Sequence, residues 1–432
     1  MVDEQMTSMA DMAEIKAAMD RWWQANEAPV FDSSAPKVRL HHPTFGPDEI
    51  MAFTAQMLTT HVTMGPKVEA FEDRFCEQLG YKIGISNNSG SSANLLMLAA
   101  LTTPLYEGRM MPGDEVILPA LTWSTSLWPI IQRGLKPVFV DSDPETLNMR
   151  PEAVEAAIGP KTRAVMSVPV YGNPCDMDAI GDICDRRGLI HIEDCCESMG
   201  ATYRGRSVGS FGLVSSFSFY FSHHITTLEG GICLTADETL ADVMRIVRAH
   251  GWIRGVRDKE KWLKDSPAYD ERFTFVGEGY NLRLTEPQAA MGLVQIDKLK
   301  GFVSKRRKNA AIMKTALAPY ADQLTPQRET EGAEHSWFGF PILVADGAPF
   351  SRDDICGFLN AAGIETRPII AGNLVRHPGT NLYDYRTSGS LEGADAVMDR
   401  GFALPCHQSL SEEALGYMTG KIADFMTDKG GI

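Results

Sequence analysis

Across residues 38–297 short β-rich apolar runs alternate with longer stretches whose apolar positions recur at helical spacing. The runs lie at 83–86, 115–118, 137–140, 164–168, 189–192 and 214–220, and Met177–Arg187 is one of the helical stretches between them. Strands alternating with helices predict an α/β fold with a mostly parallel sheet covered on both faces, since each crossover lays a helix over the strands it joins. From Lys298 onward the pattern changes: a basic helix through Lys305-Arg306-Arg307-Lys308, a strand at 337–344, then a helix at 353–362. Residues 298–432 therefore read as a small α+β C-terminal domain, and 38–297 as the large one. Residues 1–37 are polar, with Met12, Ile15, Met19 and Trp22 at helical spacing, and read as an N-terminal helical leader.

The composition is that of an ordinary globular protein: 432 residues, 44% apolar, enough for two cores. A formal charge of −15 argues against a nucleic-acid surface but leaves room for a small anion held by a local donor cluster. No apolar run reaches membrane-spanning length and no basic-then-apolar leader is present, so a cytoplasmic location is expected. The eight cysteines form neither a disulfide framework nor a Cys-x-x-Cys pair, and no metal site is expected.

Candidate chemistry gathers at the ends of the predicted strands. Asn88-Ser89-Gly90-Ser91-Ser92-Ala93-Asn94-Leu95 follows the first run and opens a helix. There, free N–H groups, the helix dipole and the hydroxyls of Ser91 and Ser92 can hold an anion. The same turn also reads as an ordinary helix cap. Glu193-Asp194 closes the run 189–192, at the strand end where open α/β sheets place their active groups. A carboxylate there can pair with a protonated pyridine nitrogen, or simply cap the strand. Trp123 can stack on a flat ring or fill core, and Ser218 can reach a phosphate or stand as a plain strand hydroxyl. His250 and Arg254 follow a helical stretch and are candidates for substrate or cofactor contact, although a lone histidine also serves structure.

The segment Phe217 to Gly231, which contains Ser222-His223-His224 and ends Glu229-Gly230-Gly231, resembles the lysine segment of fold type I sugar aminotransferases. Further motifs carry the likeness: Thr63-Met64-Gly65, the serine loop, 193–202, His250-Gly251-Trp252 and Gly279-Tyr280-Asn281-Leu282-Arg283, with a looser match through Ile364-Glu365-Thr366-Arg367-Pro368. The chain thus resembles the DegT/DnrJ/StrS aminotransferase superfamily over about residues 38–425, and within it the lysine-less branch of sugar 3-dehydratases. In the aminotransferases the residue six places before Glu-Gly-Gly is the lysine that binds pyridoxal phosphate; here it is His223, and no lysine lies between Lys161 and Lys259. Imidazole cannot anchor the cofactor covalently, but it moves protons near neutral pH.

The resemblance implies a PLP-dependent transferase fold of type I, with the separation of Asp194 from His223 matching that of the pyridine-binding aspartate and the lysine. It implies pyridoxamine 5'-phosphate (PMP) as resting cofactor, interconverting with pyridoxal 5'-phosphate (PLP), with His223 as the catalytic acid/base. Ser91, Ser92, Trp123, Asp194, Glu197, Ser218 and Asn281 are its implied cofactor-binding residues. Asn281 would act across a homodimer with shared sites. The implied reaction removes the C3 hydroxyl of a nucleotide-linked 4-keto-6-deoxyhexose, a GDP-linked mannose derivative in particular, and L-glutamate restores the amine. A second limb of the branch carries an iron–sulfur cluster. Cys196 matches its first ligand, but 245–262 holds no cysteine, so no cluster is expected. A nucleotide-sugar aminotransferase and a non-catalytic B6-binding protein are the alternatives.

Overall fold

The computed structural model describes residues 9–27, 31–264, 270 and 273–429. Its main sheet contains β1 (Ile83–Asn87), β2 (Glu115–Pro119), β3 (Lys136–Val140), β4 (Thr162–Ser167), β5 (Ile190–Asp194), β6 (Val214–Ser218) and β7 (Gly231–Thr235). With the two-residue edge strand Arg386–Thr387 they lie in the order β1-β7-β6-β5-β4-β2-β3-edge. β7 is antiparallel to β1 and to β6, and every other pairing is parallel. Since β7 is inserted in reverse, β1 and β6 run the same way. The carboxyl ends of β1, β2, β5 and β6 therefore open on one edge of the sheet. Most of these strand residues are buried, as parallel strands covered on both faces must be.

Where the sequence predicts strand through 220, β6 ends at Ser218. The Phe219 N–H bonds the Gly230 carbonyl at 2.8 Å and the His223 N–H bonds the Tyr220 carbonyl at 2.9 Å, folding 219–230 into a tight loop at the sheet edge. The hydrogen bonds of that loop, not its apolar content, decide where the strand stops.

The helix Glu286–Leu317 runs unbroken past Lys298. At its start the buried Glu286 carboxylate accepts the backbone N–H groups of Gly65 (2.9 Å), Lys67 (3.0 Å) and Val68 (2.9 Å), capping the helix Pro66–Leu79. This explains the Thr63-Met64-Gly65 motif. Beyond the long helix, Leu324–Pro326, Phe340–Val344 and Gly401–Leu404 form an antiparallel sheet. The helices Arg352–Ala361 and Glu412–Lys429 cover a core that includes Phe340, Phe402 and Phe425. The strand predicted at 337–344 starts at Phe340, because Trp337 turns with a left-handed φ of 51°. Val38 joins this unit through a bridge to Ile364. The helix Met9–Asn26 meets the helix Pro47–Leu58, where Lys16 pairs with Asp48 at 3.1 Å.

Candidate active site

The helix Gly90–Ala100 begins immediately beyond β1, with Ser89 as its cap: the Ser89 hydroxyl accepts the Ser92 N–H at 3.0 Å. Capping therefore falls to Ser89, leaving Ser91 exposed. The helix start is pressed against the end of β6. A Cβ added to Gly90 would stand 2.5 Å from Ser218 Cβ and 3.0 Å from Cys196 Sγ. Only glycine allows this approach, which brings the positive end of an eleven-residue helix beside the Ser218 hydroxyl.

Glu193 and Asp194 divide the two readings given to them. Glu193 is fully buried and accepts the backbone N–H groups of Gly209, Phe211 and Gly212 at 2.6–2.7 Å, a structural cap. Asp194, 5% exposed, instead receives side chains: Asn94 Nδ2 and the Ser126 hydroxyl each donate to its Oδ2 at 2.7 Å. Ser216 in turn donates to Asn94 Oδ1 at 2.6 Å. These neutral donors fix the carboxylate's position and bring no charge of their own to it. Asn94, Ser126 and Ser216 were not singled out from sequence, though Asn94 lies inside the serine motif, four residues past Gly90.

His223 is oriented by its Nδ1, which donates to the Cys196 carbonyl at 2.7 Å. That bond fixes the tautomer and leaves Nε2 with a free lone pair, the form a general base requires. Burial is the main force pushing its pKa down to about 4, and the Arg306 charge adds to it, while the Cys196 carbonyl and Asp194 act the other way. His224 points elsewhere: it is fully buried, with Nε2 on the Ser336 carbonyl at 3.0 Å, and packs as a structural neighbour.

A cavity of about 200 Å³ opens beside this loop, lined among others by Trp123, Tyr171, Glu197, Ser222, Phe338 and Arg367. Trp123 is 55% exposed, so its ring is free to stack, unlike a core tryptophan. Glu197 accepts the Tyr171 N–H at 3.0 Å, and burial raises its pKa to about 7. Arg367, which belongs to the loosely matching C-terminal motif, brings a cation to the same cavity.

The structure thus gathers Ser92, Trp123, Asp194, Glu197, Ser218 and His223 around one edge of the sheet, with Ser91 exposed in the first turn of the helix. Asn281, His250 and Arg254 lie on a neighbouring stretch of backbone that meets the serine loop where the Asn88 N–H bonds the Leu282 carbonyl at 2.8 Å. All three are exposed, on strands of backbone joined by the His250 N–H to Tyr280 carbonyl bond of 2.7 Å. Asn281 Oδ1 is engaged by Arg283 at 2.9 Å, and Arg254 lies over the Trp252 ring. A flat aromatic face, a buried carboxylate and a helix N-terminus with a hydroxyl beside it form a set that suits a phosphorylated pyridine. Among the described residues no three histidine, cysteine or carboxylate side chains converge as a metal site.

Comparison with known proteins places the chain in a family. The profile of the DegT/DnrJ/EryC1/StrS aminotransferase family matches residues 43–423. GDP-4-keto-6-deoxy-D-mannose 3-dehydratase of Yersinia pseudotuberculosis is 39% identical over 387 residues, covering 87% of this chain and 97% of that protein. The solved structure of the E. coli enzyme of that name, with bound hydrated PLP, is 37% identical with a TM-score of 0.84, covering 88% of this chain and 98% of that one. A further structure of such a 3-dehydratase, with a trapped PLP–glutamate geminal diamine, is 35% identical with a TM-score of 0.82, covering 89% and 99%. With a match of that length, the chain belongs to the DegT/DnrJ/EryC1/StrS aminotransferase family.

Proposed function

We propose that this protein is a PMP-dependent sugar 3-dehydratase that removes the C3 hydroxyl of a nucleotide-linked 4-keto-6-deoxyhexose, GDP-4-keto-6-deoxymannose being the favoured substrate, with L-glutamate restoring the amine. The observation that carries this reading is His223: at the lysine position stands a neutral imidazole with Nε2 open, set by a 2.7 Å bond at Nδ1. The cofactor, when bound, supplies an amine to condense with the C4 ketone and a pyridinium ring to accept electrons.

The chain's own residues supply the rest. The N–H groups at the start of Gly90–Ala100, with Ser91, Ser92 and Ser218, hold the phosphate. Asp194 would pair with the pyridine nitrogen, Trp123 would offer its ring for stacking, and Glu197 would lie near the ring. His223 takes a proton at Nε2 and returns it to the departing hydroxyl. Such acid/base help contributes typically about 10²–10⁴-fold.

The proposal extends to a cytoplasmic homodimer, in which Asn281 of one subunit reaches the phosphate held by the other, with His250 and Arg254 as candidate substrate contacts. The exposure of these side chains supports this. No helix of the described residues is long and apolar enough to cross a membrane. It also extends to a large domain from about residue 38, a small one after 297, and chemistry without an iron–sulfur cluster; the scattering of the thiols supports the last point.

The test is to incubate the protein with PMP and GDP- or dTDP-linked 4-keto-6-deoxy sugars and identify the products by mass. A 3-deoxy sugar supports the reading. An amino sugar makes the protein an aminotransferase, and no product together with no 2-oxoglutarate from glutamate makes it a binder only.

A further inference from the structure

Arg306 is 2% exposed and, among the described residues, has no carboxylate partner. A guanidinium in that position is costly, and an apolar side chain of similar volume fills such a space at lower cost. Its donors show where it acts. From the long helix, Nη1 bonds the carbonyls of Trp337 at 3.1 Å and Phe338 at 2.9 Å, while Nε is left without a partner. The segment it grips is bent, with Trp337 at φ 51°. The other side of that segment is tied to Tyr171 and Gly172: the Phe338 N–H bonds the Tyr171 carbonyl at 2.8 Å, and the Ser336 N–H bonds the Gly172 carbonyl at 3.0 Å. Held from both sides, the Phe338 ring lies with its centroid 4.9 Å from that of His223 and 5.7 Å from that of Tyr171.

We propose that Arg306 is a positioning residue for His223: through the Trp337 and Phe338 carbonyls it holds the Phe338 ring against the imidazole and fixes where Nε2 points. The assignment rests on His223 being the acid/base. The charged and titratable groups around that imidazole are Asp194, Cys196, Tyr220, His224 and Arg306, while Glu197, His41 and Arg367 line the cavity beside its loop. Of these, Asp194 favours the protonated ring and Arg306 opposes it. The same guanidinium therefore sets the ring's place and biases it to the neutral form.

Arg306→Met, Arg306→Lys, Phe338→Leu and the Arg306→Met/Phe338→Leu double variant test the assignment in the PMP-loaded protein. Two readouts are needed: steady-state dehydration and the NMR titration of the His223 imidazole, assigned with His223→Asn. Arg306→Met is expected to lower kcat on the order of tenfold, below the roughly 10²-fold that a 1 Å misplacement can cost, with KM for the nucleotide sugar little changed. The His223 titration midpoint should rise in Arg306→Met and return in Arg306→Lys. The double variant should lose little more than either single one, because both remove the same support.

Additive losses in the double variant, or an unmoved midpoint in a folded Arg306→Met, would overturn the proposal. If Arg306→Met does not fold, Arg306→Lys and Phe338→Leu decide: a Phe338→Leu variant with wild-type kcat refutes it, and one with kcat lowered at constant KM supports it. The titration reads the imidazole without turnover, so its outcome separates failure of this assignment from failure of the dehydratase reading.

Discussion

Replacing Gly90 by alanine places a methyl group where the structure has no space. The new Cβ would lie 2.5 Å from Ser218 Cβ and 2.9 Å from its hydroxyl oxygen. Carbon atoms rest about 3.5–4.0 Å apart, so a shift of roughly 1 Å is needed. Ser218 has little room to yield, because it is paired with Gly231 of β7 and the strand it ends is held to β5 as far as Ser216. The helix must move instead, although most of it, Leu96 to Ala100 included, is buried. Overpacking of this kind costs about 1–3 kcal/mol. The helix-propensity gain of alanine, at most about 1 kcal/mol, offsets only part of it.

The displaced N–H groups are those assigned to the cofactor phosphate, so PMP affinity should fall on the order of tenfold, about 1.4 kcal/mol. Thermal melts of the apo-protein and equilibrium dialysis with PMP measure the two effects. Gly181→Ala serves as control: its added Cβ meets nothing within 4 Å, and it should be neutral or stabilising by about 0.4–1 kcal/mol. A Gly90→Ala protein with unchanged melting temperature and unchanged PMP affinity would refute the packing argument.

Three other outcomes are expected. Glu286→Gln removes the charge that caps Pro66–Leu79 through three backbone N–H groups. It should lower stability by about 1.5–3 kcal/mol by denaturant melt, and a loss below measurement error would contradict the cap. Burial holds His191 near 4 and His407 near 3, against about 6.5 in the unfolded chain. The unfolded state thus binds more protons below that value, and stability should be full above pH ~6.5 and fall as pH drops towards 4, visible as a declining melting temperature; a flat profile across that window would count against their neutral burial. His223→Lys should capture PLP covalently, seen as a borohydride-stable mass increase at residue 223, and should abolish dehydration; an active dehydratase in that variant would overturn the role given to His223.

The sheet was legible because its buried strands are rich in Val, Ile and Phe, while Asp194, Trp123 and the His223 loop were marked by the resemblance of their segments to the family's motifs. What the sequence concealed were features set by contacts across the fold. β7 is a short strand opening on Gly231, whose reversal between β1 and β6 depends on pairings at both edges. The seat of Asp194 comes from Asn94, Ser126 and Ser216, on three elements separated widely in the chain. Arg306 reads locally as one of four basic residues on a helix surface. Its burial appears only once the segment 336–338 folds back over it. Similarly, Trp337 belongs by composition to the following strand, yet the His335 and Arg306 contacts turn it away.

The central claim is that an imidazole, with no lysine present, transfers the proton in an anchorless B6 site. Its most direct measurement is the single-turnover rate at which glutamate converts the protein-bound pyridoxal form to the pyridoxamine form, in the wild type and in His223→Asn. The account predicts conversion in the wild type and a rate lower by about 10²-fold or more in the variant, with cofactor still bound. A His223→Asn protein that converts at the wild-type rate would contradict it.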